Sequence, residues 1–389
     1  MKIAVFYCGY LPGEKYGGPV TSIFNFTELL GDDNDIYIVC TNHDLKEAVP
    51  YSNIQSGWNK VGKVKVLYLP DSECKKPRFS KILDEIQPQL IYASSIFSAK
   101  QTYPLFGLSK RKNIPLLLAP RGELNNNALS IKKTKKQLYL LVLKLLRRMT
   151  TTFFQATSEE EQKSIIQTLG VDKKKVFLLP NVPSLPQHKK DVHKQPGQLK
   201  MCFVGRIVQN KNLLIALQAV SNVDADINFD IFGPCEDKDY WKLCQELIAS
   251  VPSNITITYK GFVSPREMVT KYADYDCLIS PTRFENYGQA IVEAMLHDVP
   301  VIISRGTTPW DEIDNQKVGF AVDITDIEGY SKAIKSIADM SAFEYNELIV
   351  RLRSYCIKRF DYAKLKTEYN ELFTFIRRVS LKGNVQNAN

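Results

Sequence analysis

Short, continuous apolar runs alternate with helical stretches along almost the whole chain, and the alternation starts twice. KIAVFY (2–7), IYIVC (36–40), KVLYL (65–69), LIYAS (90–94), PLLLAP (115–120), TTFFQA (151–156) and KVFLLP (175–180) form the first series. KMCFVG (200–205), INFDIFG (227–233), ITITYKGF (255–262), DCLIS (276–280) and VPVIIS (299–304) form the second. Strands that are apolar throughout have both faces covered, and helices between them supply the cover, so each series predicts a parallel, doubly wound α/β sheet.

Between the two series lies SLPQHKKDVHKQPGQ (184–198), polar, proline-bearing and without periodicity, which reads as a linker. A chain of 389 residues suits two domains better than one core. The expected division is a first Rossmann-like domain over 1–183, the linker over 184–198, and a second Rossmann-like domain over 199–360. A C-terminal helix in 361–389 is expected to cross back to the first domain and end in a loose tail. Ligands of such sheets bind beyond the carboxyl ends of the strands, so the chemistry belongs in the loops that follow strands.

With 44% hydrophobic and 24% charged residues, the chain is globular and not disordered. Eight scattered cysteines contain no CxxC pair, which suggests reduced, buried thiols and a cytoplasmic protein. The N-terminus reads as a buried first strand and not as a secretory leader. No run of about 18 apolar residues is present to span a membrane. The net charge of +9 is uneven: residues 1–190 carry 28 basic against 16 acidic residues, whereas 191–389 carry 23 against 26. An anionic partner of the first half follows, whether a membrane surface, nucleic acid or a phosphorylated substrate.

Three stretches sit at strand ends. GRIVQNKN (205–212) offers Arg206 and Lys211 to a diphosphate next to a helix N-terminus, or is an ordinary basic loop. EKYGGPV (14–20) removes side chains at Gly17 and Gly18, either for a close backbone approach or as a plain surface turn. RFENYGQAIVEAM (283–295) holds Glu285 before a glycine turn and Glu293 about 7 Å into the following helix. Glu285 is placed to face a polyhydroxyl substrate and Glu293 a ribose diol, with backbone amides near Tyr287 and Gly288 between them.

The G-R-x4-K after one strand, the E-x7-E about 75 residues later and the early GG together resemble the retaining GT-B glycosyltransferases. More narrowly they resemble family four, with its many bacterial surface-polysaccharide enzymes. QATSEEEQKSI (155–165), LPNV (179–182) and GTTPW (306–310) extend the resemblance over nearly the whole chain. It implies two Rossmann-like domains facing across a cleft and a nucleotide-sugar donor, UDP- or GDP-linked. It implies no metal and no cofactor. Arg206 and Lys211 would hold the donor diphosphate and its leaving charge, Glu285 the sugar hydroxyls, and Glu293 the ribose. Asn286, Tyr287, Gly288 and Gln289 would lie beside the donor sugar, Phe262 and Val263 beside the base, and Gly17 and Gly18 would approach the phosphates. Many relatives carry His-Gly where this chain has Arg121-Gly122. Arginine cannot accept a proton, so Arg121 is expected to orient a phosphate or hydroxyl. D-x-D matches at Asp33, Asp224, Asp237 and Asp274 are too frequent to mark a metal site.

IKKTKKQLYLLVLKLLRRM (131–149) places Lys132, Lys133, Lys135, Lys136, Lys144, Arg147 and Arg148 around an apolar stripe. It suits a peripheral helix on an anionic membrane, or a core-packed helix with solvated lysines. With lipid-linked saccharide acceptors in the family, the first reading gives a peripheral enzyme on the inner face of the cytoplasmic membrane, building O-antigen or capsule. Other readings are a GT-B nucleotide-sugar epimerase, a synthase with a soluble acceptor, or a basic nucleic-acid-binding protein. The last lacks interleaved aromatic and basic residues, so no nucleic-acid partner is expected.

Overall fold

The computed structural model describes residues 1–130, 132–146, 149–185 and 193–386, with the backbone alone at 126, 127 and 382–386. The chain divides into two compact units. One comprises Met1–Val182 and the segment from Tyr362 onward, the other Pro183–Asp361.

The first unit is built on eight strands: β1 (Lys2–Phe6), β2 (Asp35–Thr41), β3 (Trp58–Val61), β4 (Val64–Leu69), β5 (Leu90–Ser94), β6 (Leu116–Ala119), β7 (Thr152–Ala156) and β8 (Val176–Leu178). Their order is β3-β4-β2-β1-β5-β6-β7-β8, and every pairing is parallel except β3 with β4. Side chains alternate between the faces of a strand. Ile3 and Val5 accordingly enter one core, with Phe26 of the helix Gly18–Leu30, while Ala4 and Phe6 enter the other, with Phe79 of the helix Lys76–Ile86.

The C-terminal helix, Tyr362–Gln386, belongs to this unit. Phe373 and Ile376 lie in its core, the Tyr369 hydroxyl donates to the Pro180 carbonyl (2.9 Å), and Lys366 pairs with Asp33. The helix runs on to Gln386, into the stretch expected as a loose tail, and residues 387–389 lie outside the described residues.

The second unit holds β9 (Gln198–Val204), β10 (Asp226–Phe232), β11 (Ile255–Gly261), β12 (Cys277–Ser280), β13 (Val301–Ser304) and β14 (Phe320–Val322). All are parallel, in the order β11-β10-β9-β12-β13-β14. Residues 186–192 of the expected linker lie outside the described residues. Its last part is structured: Lys194 is buried, and its ammonium donates to the carbonyls of Ala338 (2.8 Å) and Gln195 (2.8 Å), which caps the helix Ile327–Ala338.

In each sheet the chain runs outward in one direction and then resumes at the centre in the other. The reversal falls between β1 and β5 in the first unit and between β9 and β12 in the second. Such a reversal opens a crevice at the carboxyl ends of the two central strands. The loops after those strands are therefore where each unit can hold a ligand.

Candidate active site

In the second unit, the loops after β9 and β12 carry Arg206–Lys211 and Arg283–Gln289, and hydrogen bonds join them. Arg283 N donates to the Asn210 carbonyl (2.8 Å), the Thr282 hydroxyl donates to the same carbonyl (3.1 Å), and the Asn210 amide donates to the Phe284 carbonyl (3.2 Å). Glu285 N is fixed to the Thr307 carbonyl (2.7 Å). This frame brings the Lys211 ammonium into direct ion-paired contact with the Glu285 carboxylate, both side chains about four-fifths buried. Lys211 and Glu285 thus meet at the central crevice, and Arg206, on the same loop as Lys211 and more exposed, is paired with Glu236 at 3.0 Å. The cations suit a diphosphate, and the carboxylate suits sugar hydroxyls.

Gly288 has φ 73° and caps the helix Gln289–Leu296. The left-handed backbone there favours glycine, and it turns the chain from the Glu285 loop into the helix. Tyr287 is buried, packs edge-on against Trp310, and accepts the Trp310 indole N–H at its carbonyl.

Glu293 departs from expectation. It lies buried instead of opening to solvent, accepting from the Gln289 amide (3.0 Å) and the Tyr272 hydroxyl (3.4 Å). Burial pushes its carboxyl up to about 7, against the opposing effect of the two hydrogen bonds. The Gln289 amide thus occupies one oxygen of the Glu293 carboxylate. Phe262, half-exposed, and Val263 follow β11 as expected, after Gly261.

Gly17, Gly18 and Arg121 lie in the first unit. Gly17, at φ 69°, caps the helix Gly18–Leu30, which has no side-chain cap. Arg121 is not presented to a ligand in the expected way. Its guanidinium donates to the hydroxyls of Ser94 (2.9 Å), Ser22 (2.8 Å) and Tyr92 (3.2 Å), and to the Asn181 side-chain oxygen. The SEEE stretch (158–161) forms only half of a capping box. Ser158 accepts from Glu161 N, but the Glu161 carboxylate turns to Gly122 N (2.6 Å) and to Thr157. These partners are remote in sequence, so the loop bearing Arg121 is a long-range structural junction.

The basic segment contains the helix Lys133–Leu145, while Ile131, Arg147 and Arg148 lie outside the described residues. Leu140 and Leu143 are buried on one face, whereas Leu138, Leu141 and Leu145 are 63%, 50% and 72% exposed on the opposite face. Lys136 leaves the expected basic set: its ammonium donates to the Ala128 carbonyl (2.6 Å) over the Phe97 ring.

No group of three or more His, Cys, Asp or Glu side chains is assembled to hold a metal among the described residues. Among the D-x-D aspartates, Asp237 caps the helix Lys238–Ile248 and Asp33 pairs with Lys366. Asn210, Thr282, Thr307 and Trp310 were not anticipated as parts of the site. Only Trp310, a lone aromatic in a small polar loop, left a signal in the sequence.

Residues 186–358 match the family model described as Glycosyl transferases group 1. An uncharacterized 41.2 kDa protein in the cps region of Klebsiella pneumoniae is 23% identical over 370 residues, covering 92% of this chain and 96% of that protein. A GDP-mannose-dependent alpha-mannosyltransferase of Corynebacterium glutamicum is 31% identical over 126 residues, 32% of this chain and 28% of that one. The structure of Anabaena HepE in complex with UDP and glucose is similar with a TM-score of 0.69 at 16% identity, covering 96% of this chain and 99% of that one. Sucrose-phosphate synthase from Thermosynechococcus elongatus gives 0.72 at 14% identity, covering 97% and 99%. The fold is therefore GT-B, and residues 186–358 are similar to the group 1 glycosyl transferases.

Proposed function

We propose that the chain is a retaining, metal-independent glycosyltransferase. It moves a hexosyl group from a UDP- or GDP-linked sugar to a lipid-linked saccharide in bacterial surface-polysaccharide (O-antigen or capsule) synthesis, at the inner face of the cytoplasmic membrane. The observation that carries this reading is the meeting of Lys211 and Glu285 at the carboxyl ends of β9 and β12, with Arg206 on the same loop as Lys211.

In this reading Lys211 and Arg206 grip the donor diphosphate and stabilise the charge that grows on it as the glycosidic bond breaks. Fixed cations do there what a divalent metal does in other transferases. Glu285 holds donor-sugar hydroxyls, and the backbone at Asn286–Gln289 lines the sugar. Glu293 serves the ribose, and Phe262 and Val263 meet the base. Both donor classes are represented among similar proteins, since HepE was crystallised with UDP and glucose and the Corynebacterium relative is GDP-mannose-dependent. The cps-region relative supports a capsule role. The outward leucines of Lys133–Leu145, flanked by Lys132, Lys133, Lys135 and Lys144, favour an acceptor held at an anionic membrane.

The test is to incubate the protein with UDP- and GDP-hexoses and a lipid-diphosphate saccharide, and to determine the anomeric configuration of the product by NMR. Transfer with retention supports the reading. Inversion removes the retaining assignment, and nucleotide binding with no transfer to any saccharide removes the transferase assignment.

A further inference from the structure

The helix Ala342–Arg359 of the second unit carries two apolar faces. Tyr345, Leu348, Ile349, Leu352 and Cys356 fill the buried one, where the Tyr345 hydroxyl donates to the Asp276 carbonyl (2.8 Å). On the opposite face Phe343, Val350 and Ile357 are 73%, 50% and 76% exposed. They recur every seven residues, a spacing at which a straight helix drifts by only about 20° per repeat. The three therefore form one seam, about 21 Å long at 1.5 Å per residue. Single apolar residues on a surface need no explanation, but a seven-residue repeat on one helix is the pattern of helix-to-helix packing.

The charges beside the seam decide what covers it. Helical spacing places Glu344, Glu347, Arg351 and Lys358, all exposed, on one flank, the acids in its first half and the bases in its second. The Glu344 carboxylate accepts from Ser341 N (2.8 Å) and the Ser341 hydroxyl (2.7 Å), whereas Glu347 and Arg351 meet only at 3.9 Å. On the other flank Arg353 is taken up by Asp298 at 2.7 Å. An anionic membrane would be repelled by the acidic half. A second copy of the helix lying parallel would set acid against acid and base against base.

An antiparallel copy matches at every level. With a two-fold axis at Val350, the valines of the two copies meet at the centre, and Phe343 of each meets Ile357 of the other at the ends. Glu347 of one copy then lies about 3 Å along the axis from Arg351 of the other, and Glu344 lies equally close to Lys358, on the same flank. A hollow of about 450 Å³ beside the acidic end, lined by Asp339, Met340, Phe343, Glu344 and Glu347 among others, has room for that lysine. Asp339 itself is already paired with Lys335 (2.6 Å).

We propose that the exposed seam of Ala342–Arg359 is the interface of a symmetric, antiparallel homodimer. A two-fold contact satisfies such a patch with itself and closes, leaving no open end to polymerise. One helix from each copy makes an interface at the small end of the range, so the dimer exchanges with monomer. The proposal is independent of the glycosyl-transfer reading.

Sedimentation velocity on the full chain over a wide range of concentration tests it, with Val350→Glu, Glu347→Arg and a double variant joining Glu347→Arg to Arg351→Glu. The wild type is expected to sediment as a dimer in reversible exchange with monomer. Val350→Glu brings two like charges together at the axis, and Glu347→Arg sets a second cation against Arg351, so each should dimerise at least tenfold more weakly. The double variant restores opposite charges and should return toward the wild type. Monomer at every wild-type concentration, a dimer that Val350→Glu leaves intact, or a double variant no better than Glu347→Arg overturns the proposal. A monomeric wild type whose sedimentation with phosphatidylglycerol vesicles is lost on changing Phe343→Ser and Ile357→Ser would assign the seam to a lipid surface instead. All the substituted side chains are exposed, and unchanged thermal melting ensures that lost dimer is not lost folding.

Discussion

The ammonium of Lys211 donates directly to the carboxylate of Glu285, across 74 residues of sequence and between the loops that follow two neighbouring central strands. Each partner is largely removed from water, so each depends on the other until a ligand arrives. A donor diphosphate can draw Lys211 toward its own charge, leaving Glu285 for sugar hydroxyls. Interactions that strengthen only in the transition state change kcat, whereas uniform binding changes KM. Glu285→Gln is therefore expected to lower kcat at least tenfold with little change in donor KM, measured by steady-state transfer. A wild-type rate would make Glu285 a loop residue only.

Glu293 gives a pH-dependent stability. Its folded carboxyl titrates near 7, above the ordinary value of 4.5, so between those values the folded protein keeps a proton that the unfolded chain has lost. Stability then falls as pH rises through this window, by on the order of 3 kcal/mol, and stays low above it. Glu293→Gln lacks the ionisable group and should escape the fall. Thermal melts should find the variant no more stable than wild type at pH 4.5 and several degrees more stable at pH 8. A variant destabilised at pH 8 would show that the ionised carboxylate is held favourably.

Membrane binding should follow the outward face of Lys133–Leu145. Each lysine near an anionic surface contributes about 1 kcal/mol, and the exposed leucines add apolar insertion. Reversing Lys132, Lys133 and Lys135 to glutamate should abolish sedimentation with phosphatidylglycerol vesicles, and Leu138→Ser with Leu145→Ser should weaken it. Nucleotide affinity should not change in either protein. Equal sedimentation would leave the helix as a core element with solvated lysines.

Under the proposed function Arg206 and Lys211 would supply the positive charge at the diphosphate, so transfer should withstand EDTA. Loss of activity restored by magnesium or manganese would contradict this.

The interior of both sheets was legible in the sequence because strands buried on both faces are apolar at every position, as in LIYAS and VPVIIS. The edges were not. β3, carrying Asn59 and Lys60 in WNKV, and the three-residue β14 have too few apolar positions to stand out from their surroundings. At the candidate site, residue identity and spacing singled out Arg206, Lys211 and Glu285, and the fold brings Lys211 and Glu285 into contact. What spacing did not reveal was depth and pairing. Glu293 sits in AIVEAML, and apolar neighbours on both sides are the trace of its burial. Arg121 and Lys136 spend their donors on Ser22, Asn181 and Ala128, partners that only the folded chain brings near.

The central claim is that a nucleoside diphosphate is held by the loop after β9, and calorimetric titration of UDP and GDP into the wild-type and Lys211→Ala proteins tests it most directly. A charge-assisted contact contributes about 1.5–3 kcal/mol, so the variant should bind the preferred nucleotide roughly ten- to a hundredfold more weakly. Unchanged affinity in a folded Lys211→Ala protein would contradict the account.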